Sequence, residues 1–163
     1  LTGSSIQAWS RLTGTTNLWG NDMLRIYSDG GARGNPGPSA CAVIVTRDGS
    51  IIREITEFLG ESTNNYAEYR GLIAAIREAI RIGDDHVEFV MDSELVVKQM
   101  RGEYKVRSES MKGLHRDAVS LISQIRNPSI IHVRREDPMI SRADALLNIE
   151  LDIRTGNGRA PIS

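Results

Sequence analysis

The sequence predicts an α/β fold: a five-stranded mixed sheet in the order β-β-β-α-β-α-α-β-α, flanked by helices. Two observations carry the prediction. Residues 23–58 hold three β-rich runs separated only by short turn segments, which implies an antiparallel meander. From Asn65 onward the apolar spacing turns helical, and helical stretches then alternate with short apolar runs, the pattern of strand–helix crossovers. A meander continued by crossovers gives a sheet of mixed direction.

The elements follow in order. Residues 23–28 alternate and are β-rich, a first strand, and run into Asp29-Gly30-Gly31-Ala32-Arg33-Gly34-Asn35-Pro36-Gly37-Pro38, read as a dense turn segment. Residues 40–46 form the second strand, Asp48-Gly49 a hairpin turn, and residues 50–58 the third strand. Between Asn65 and Ile82, Ala67, Leu72, Ala75, Ile76, Ala79 and Ile80 mark the stripe of an amphipathic helix, with Thr63 as N-cap and Gly83 as its stop. A strand over 86–91, a short helix over 93–100 and a helix over 110–126, ended by Asn127-Pro128, come next. The last elements are a strand over 129–133 and a helix over 141–151.

A length of 163 residues accommodates one globular domain, placed at 23–152, between an N-terminal extension (1–22) and a loose C-terminal tail (153–163). With 40% hydrophobic and 25% charged residues the chain has the means for a core and an ordinary soluble surface. The net charge of -1 excludes a global basic field, so any nucleic-acid partner must be held by a local patch or through metal ions. Cys41 is the single cysteine, in an apolar run, and reads as a small buried hydrophobe; with three scattered histidines it excludes a structural zinc cluster. The longest apolar runs are too short for a bilayer, and no signal-peptide pattern opens the chain, so a cytoplasmic monomer with no membrane partner is expected.

Four acidic residues stand out by position. Asp29 and Asp92 each follow an apolar strand, at the carboxyl ends where open α/β sheets place ligands. Two like charges brought together need neutralisation, and oxygen-only donors favour a hard cation such as Mg²⁺ or Mn²⁺. Equally, Asp29 fits a turn and Asp92 a cap for the helix beginning at Ser93. Glu68, read in the first turn of the long helix, and Asp144, near the start of the last one, also fit as dipole partners or caps. Spacing leaves both readings open.

The segments around these residues resolve the matter. Ser28 to Pro38 closely resembles the first signature of ribonuclease H, type 1. Thr63-Asn64-Asn65-Tyr66-Ala67-Glu68 looks like the second, Met91-Asp92-Ser93-Glu94-Leu95-Val96 the third, and Arg142-Ala143-Asp144-Ala145-Leu146-Leu147-Asn148 the fourth. The resemblance spans residues 23–152 and implies the ribonuclease H-like fold. It also implies endonucleolytic hydrolysis of the RNA strand of RNA–DNA hybrids, giving 3′-hydroxyl and 5′-phosphate ends. Asp29, Glu68, Asp92 and Asp144 map onto the family's catalytic, metal-binding carboxylates, which hold two Mg²⁺ ions, with Mn²⁺ as substitute, about 4 Å apart. By the same resemblance Asp29 bridges both ions, and Glu68 touches one of them and senses the RNA 2′-hydroxyl. Gly30, Gly31, Arg33, Asn35, Thr63, Asn64, Asn65 and Ser93 map onto substrate-binding positions. Glycines there would let the main chain approach a polynucleotide, and the asparagines suit minor-groove 2′-hydroxyls.

Two departures qualify the match. The basic protrusion of some members is short here, with Lys98, Arg101, Lys105, Arg107 and Lys112 interleaved with Glu103 and Glu109. This resembles the compact archaeal-like branch and leaves double-stranded RNA open as a further substrate. The segment 134–141, read as a lengthened loop, has Ile140 where the family usually carries Asn and lacks the flexible-loop His; Arg135 or Glu136 is a candidate substitute, and His132 reads as structural. An exonuclease on the same broad fold is disfavoured because no Asp-x-Glu pair opens the domain. A silent hybrid-binding module is disfavoured because all four carboxylates are present. A transcription factor would need a basic recognition helix, and none stands out.

Overall fold

The computed structural model describes residues 23–156; the expected N-terminal extension and residues 157–163 lie outside the described residues. Five strands, β1 (Leu24–Ala32), β2 (Gly37–Arg47), β3 (Ser50–Ser62), β4 (His86–Met91) and β5 (Asn127–His132), form one sheet in the order β3-β2-β1-β4-β5. The β1–β2 and β2–β3 pairs are antiparallel, and β1–β4 and β4–β5 are parallel. The helices are α1 (Asn64–Ile82), α2 (Glu94–Met100), α3 (Glu109–Ile122) and α4 (Pro138–Thr155). This is the element order and mixed sheet expected.

The sheet is covered on both faces, which is why β2 is buried over nearly its whole length. On one face Leu24, Ile26, Val43, Val45 and Phe89 pack with Leu72 and Ile76 of α1 and Val96 of α2. On the other, Tyr27, Ile44 and Val90 pack with Ile140, Ala143, Leu147 and Leu151 of α4. Cys41, 1% exposed, is part of this interior, and burial pushes its thiol up to about 12, so it is an inert hydrophobe.

Helix ends follow their sequence signals where the caps are local. Thr63 caps α1 by accepting from the Tyr66 N–H, and Gly83 closes it in the left-handed conformation. Four expectations need correction. The Gly30–Ala32 stretch is strand, not turn: it pairs with Cys41, Ala40 and Ser39, and only residues 33–36 turn. The α3 helix stops at Ile122, and Asn127-Pro128 belongs to β5, where an edge position tolerates a proline that donates no hydrogen bond.

The third correction concerns 134–141. Asp137 accepts from the Met139 and Ile140 N–H groups and Pro138 takes the first turn, so α4 begins three residues earlier than expected. Ile140 is therefore a fully buried helix residue, and no long loop precedes Asp144. Finally, α4 runs to Thr155, so residues 153–155 are helix rather than loose tail. His132 ends β5, but its ring is exposed rather than packed. Among the described residues, no helix is long and apolar enough to cross a membrane.

Candidate active site

The parallel β1–β4 pairing brings the first two acidic residues together. Its register matches Tyr27 with Val90, and the same offset carried two residues on sets Asp29 beside Asp92. This is the point where the sheet switches from antiparallel to parallel neighbours, the usual ligand position in α/β sheets. Asp29 lies within the extended β1 and is only 7% exposed.

Two helices add the other carboxylates from opposite faces. Glu68 sits one residue beyond the first turn of α1, so the dipole-partner reading of its position is displaced; Asp144 lies in the second turn of α4 and does not cap it. All four line one cleft of about 590 Å³, with Asn64, Asn65, Arg135 and Asn148 on its walls. No Cys or His is among the lining residues.

Close contact of main chains sets this geometry. A Cβ on Gly30 would overlap the Ala67 carbonyl, so α1 rests directly on β1 and delivers Glu68 next to Asp29. Gly71, one turn further along α1, is also close to β1: a Cβ there would lie 3.1 Å from the Asp29 carbonyl oxygen. Gly30 and Gly31 both line the cleft, Gly31 beside Leu147.

The charges are poorly compensated within the protein. Burial, then the Asp92 and Asp144 carboxylates, push the Asp29 carboxyl up to about 8, against the opposing hydrogen bond from the Gly30 N–H at 3.0 Å. Burial likewise pushes Glu68 up to about 7, although Ser93 Oγ donates to its Oε2 at 2.9 Å, with Asp92 as a further raising influence. A cluster of this kind is stabilised when a cation or a proton is shared within it. Among the described residues the carboxylates do not close into a ready-made metal cage. The donor set itself, carboxylate oxygens alone, fits a hard divalent cation.

Of the residues expected to touch substrate, Gly30, Gly31, Arg33, Asn64 and Asn65 line the cleft, and both asparagines are exposed. Several of these residues also have partners within the protein. Asn64 Oδ1 accepts from the Ala32 N–H at 2.8 Å, and Asn35 Oδ1 accepts from the Asn64 N–H at 3.1 Å, which staples the β1–β2 turn to the start of α1. Ser93 caps α2 and fixes Glu68; Arg33 is bound to Asn148 and Asp152 on α4. Asn148 and Asp152 were given no role from sequence, yet their spacing after Asp144, four and eight residues, places all three on one helix face.

Known proteins resemble this chain in sequence and fold. A family described as reverse transcriptase-like matches residues 27–148. Ribonuclease HI of Halobacterium salinarum is 42% identical over 130 residues, covering 79% of this chain and 64% of that protein. The crystal structure of that organism's RNase H1 superposes with a TM-score of 0.76 at 39% identity, over 80% of this chain and 98% of that one. A bifunctional protein of Mycobacterium tuberculosis is 42% identical over 129 residues, 78% of this chain, and the chain spans only 35% of its length. LC11-RNase H1, solved in complex with an RNA/DNA hybrid, superposes with a TM-score of 0.76 at 38% identity, over 81% of this chain and 99% of that one. With fold, register and relatives in agreement, the chain belongs to the type 1 ribonuclease H family.

Proposed function

We propose that this chain is a metal-dependent endoribonuclease that hydrolyses the RNA strand of RNA–DNA hybrids, leaving 3′-hydroxyl and 5′-phosphate ends. The observation that carries the reading is Asp29: a carboxylate buried in the central strand, with three further carboxylates in the same cleft. The hybrid bound in the LC11-RNase H1 complex supports the substrate class.

Asp29, Glu68, Asp92 and Asp144 would hold two divalent cations, Mg²⁺ or Mn²⁺. When bound, these supply an activated water and charge neutralisation at the leaving 3′-oxygen. The protein does the rest by placement. Asp29, central in the sheet, carries a proton near neutral pH and releases it where positive charge compensates it. Ser93 restrains Glu68 from the side of β4, so that its second oxygen is left for the cleft. Asn65 stands on the rim and offers an uncharged donor and acceptor to sugar hydroxyls.

A second depression, about 560 Å³, shares Asn65 with the acidic cleft and carries Lys105, Arg107 and Tyr104 between α2 and α3. Lys98 lies over the Tyr104 ring at 4.9 Å and is paired with Glu94 at 2.9 Å. Lys105 and Arg107 supply the local positive charge that the near-neutral chain needs to hold the other strand's phosphates. The test is cleavage of a labelled RNA–DNA hybrid beside double-stranded RNA, single-stranded RNA and double-stranded DNA, with end-group analysis. Internal cuts in hybrid RNA with 3′-hydroxyl ends are expected. The double-stranded RNA lane sets the substrate breadth, and cuts confined to DNA would refute the reading.

A further inference from the structure

The turn between β1 and β2 reaches α4 through one side chain. Arg33 Nη2 donates to the Asn148 main-chain oxygen and to its side-chain Oδ1, both at 3.1 Å, while Nη1 pairs with Asp152 at 2.6 Å. Asn148 Nδ2 in turn donates to Asp144, at 2.9 Å to the main-chain oxygen and at 3.3 Å to Oδ1. A continuous chain of side chains thus runs from Asp152 to a carboxylate of the cleft.

The direction of these bonds is forced. A guanidinium only donates and a carboxylate only accepts. Asn148 must therefore turn its oxygen to Arg33 and its amide nitrogen to Asp144. With Arg33 removed, rotation of the amide by half a turn would set oxygen against oxygen at Asp144. Asp152 holds Arg33 from the far side through its Nη1, while Arg33 also lines the cleft.

We propose that Arg33 is a positioning residue which, through Asn148, fixes the direction in which Asp144 presents its oxygens to the cleft. This rests on the reading of Asp144 as a metal-holding carboxylate. It adds to the expectation that Arg33 meets nucleic acid, since Arg33 also lines the cleft and its side chain is 33% exposed.

Arg33→Met, Asn148→Ala and the double variant test it in the 163-residue chain. Mn²⁺ affinity is measured by titration calorimetry without nucleic acid, and kcat and KM on labelled hybrid. Each single variant is expected to weaken Mn²⁺ binding and lower kcat by about tenfold or more. KM should stay within about twofold, since ground-state binding is untouched. The double variant should be no worse than Asn148→Ala, because both substitutions break one relay. A raised KM with normal kcat and Mn²⁺ affinity in Arg33→Met, additive with Asn148→Ala, would overturn the proposal in favour of direct contact. If Arg33→Met does not fold, Arg33→Lys keeps the question open to the same readouts, because a single ammonium cannot reproduce the forked bonds. Asp144→Asn separates the two layers: full activity and Mn²⁺ binding there would remove the site reading itself, whatever the relay variants do.

Discussion

Gly30 lies against the main chain of Ala67: a Cβ on Gly30 would fall 2.2 Å from both the carbonyl carbon and oxygen of Ala67, and 2.5 Å from the amide nitrogen of Glu68. The contact couples the central strand to the helix that carries the second carboxylate. Gly30→Ala is expected to force the two apart, at a cost of about 1–3 kcal/mol or more. It should also lower hybrid cleavage by displacing Glu68. Thermal denaturation and activity are read together, and an unchanged Tm would show that α1 does not rest on β1 in this way.

Asp29→Asn removes the most compressed charge. Without divalent cations the variant should be more stable than the parent at pH 8, on the order of 1–3 kcal/mol, because burial and neighbouring carboxylates oppose ionisation there. Its cleavage activity should vanish. Destabilisation in metal-free buffer would mean that Asp29 is a structural anchor.

The same groups set a pH dependence. Asp29 and Glu68 have folded-state values of about 8 and 7, above their ordinary values of 3.8 and 4.5. In that window the folded state keeps protons that the unfolded chain has released. The associated stability is present at low pH and is lost as pH rises through the folded values. Metal-free Tm should therefore fall between about pH 6 and 8, and Mg²⁺ should raise Tm more at pH 8 than at pH 6. An equal Mg²⁺ effect at both pH values would contradict the assignment.

Ser93 serves two neighbours at once, accepting from the Val96 N–H at 3.3 Å and donating to Glu68 at 2.9 Å. Ser93→Ala should cost about 1 kcal/mol through the lost cap and reduce kcat by freeing Glu68. Ser93→Thr, which keeps the hydroxyl, should recover both. Denaturant titration and steady-state kinetics check the pair. Recovery of stability without recovery of kcat would remove the restraint on Glu68 from the account.

Much of this architecture was legible because its signals are local. The strand over 86–91 is a short apolar run, and its observed limits, His86–Met91, are those expected. Thr63 and Gly83 frame α1 as caps that act within a few residues. The four acidic residues, placed on separate elements by the motifs, all reach one cleft. The errors arise where tertiary context overrides local chemistry. Gly30-Gly31 signals a turn, but pairing with β2 and packing under α1 keep it extended. Pro128 signals a break, yet an edge strand tolerates it. Asp137-Pro138 is itself a helix-start signal, three residues ahead of the start expected at Ser141. The Arg33–Asn148 contact joins residues 115 positions apart, and no local pattern announces it.

The most direct measurement is cleavage of an RNA–DNA hybrid labelled on its RNA strand, by the parent chain and by folded Asp29→Asn, in Mg²⁺ and in EDTA. Internal RNA cuts by the parent in Mg²⁺ alone, with none from the variant, are the predicted result. Cleavage that persists in EDTA, or in the Asp29→Asn protein, would contradict a metal-dependent reaction at this carboxylate cleft.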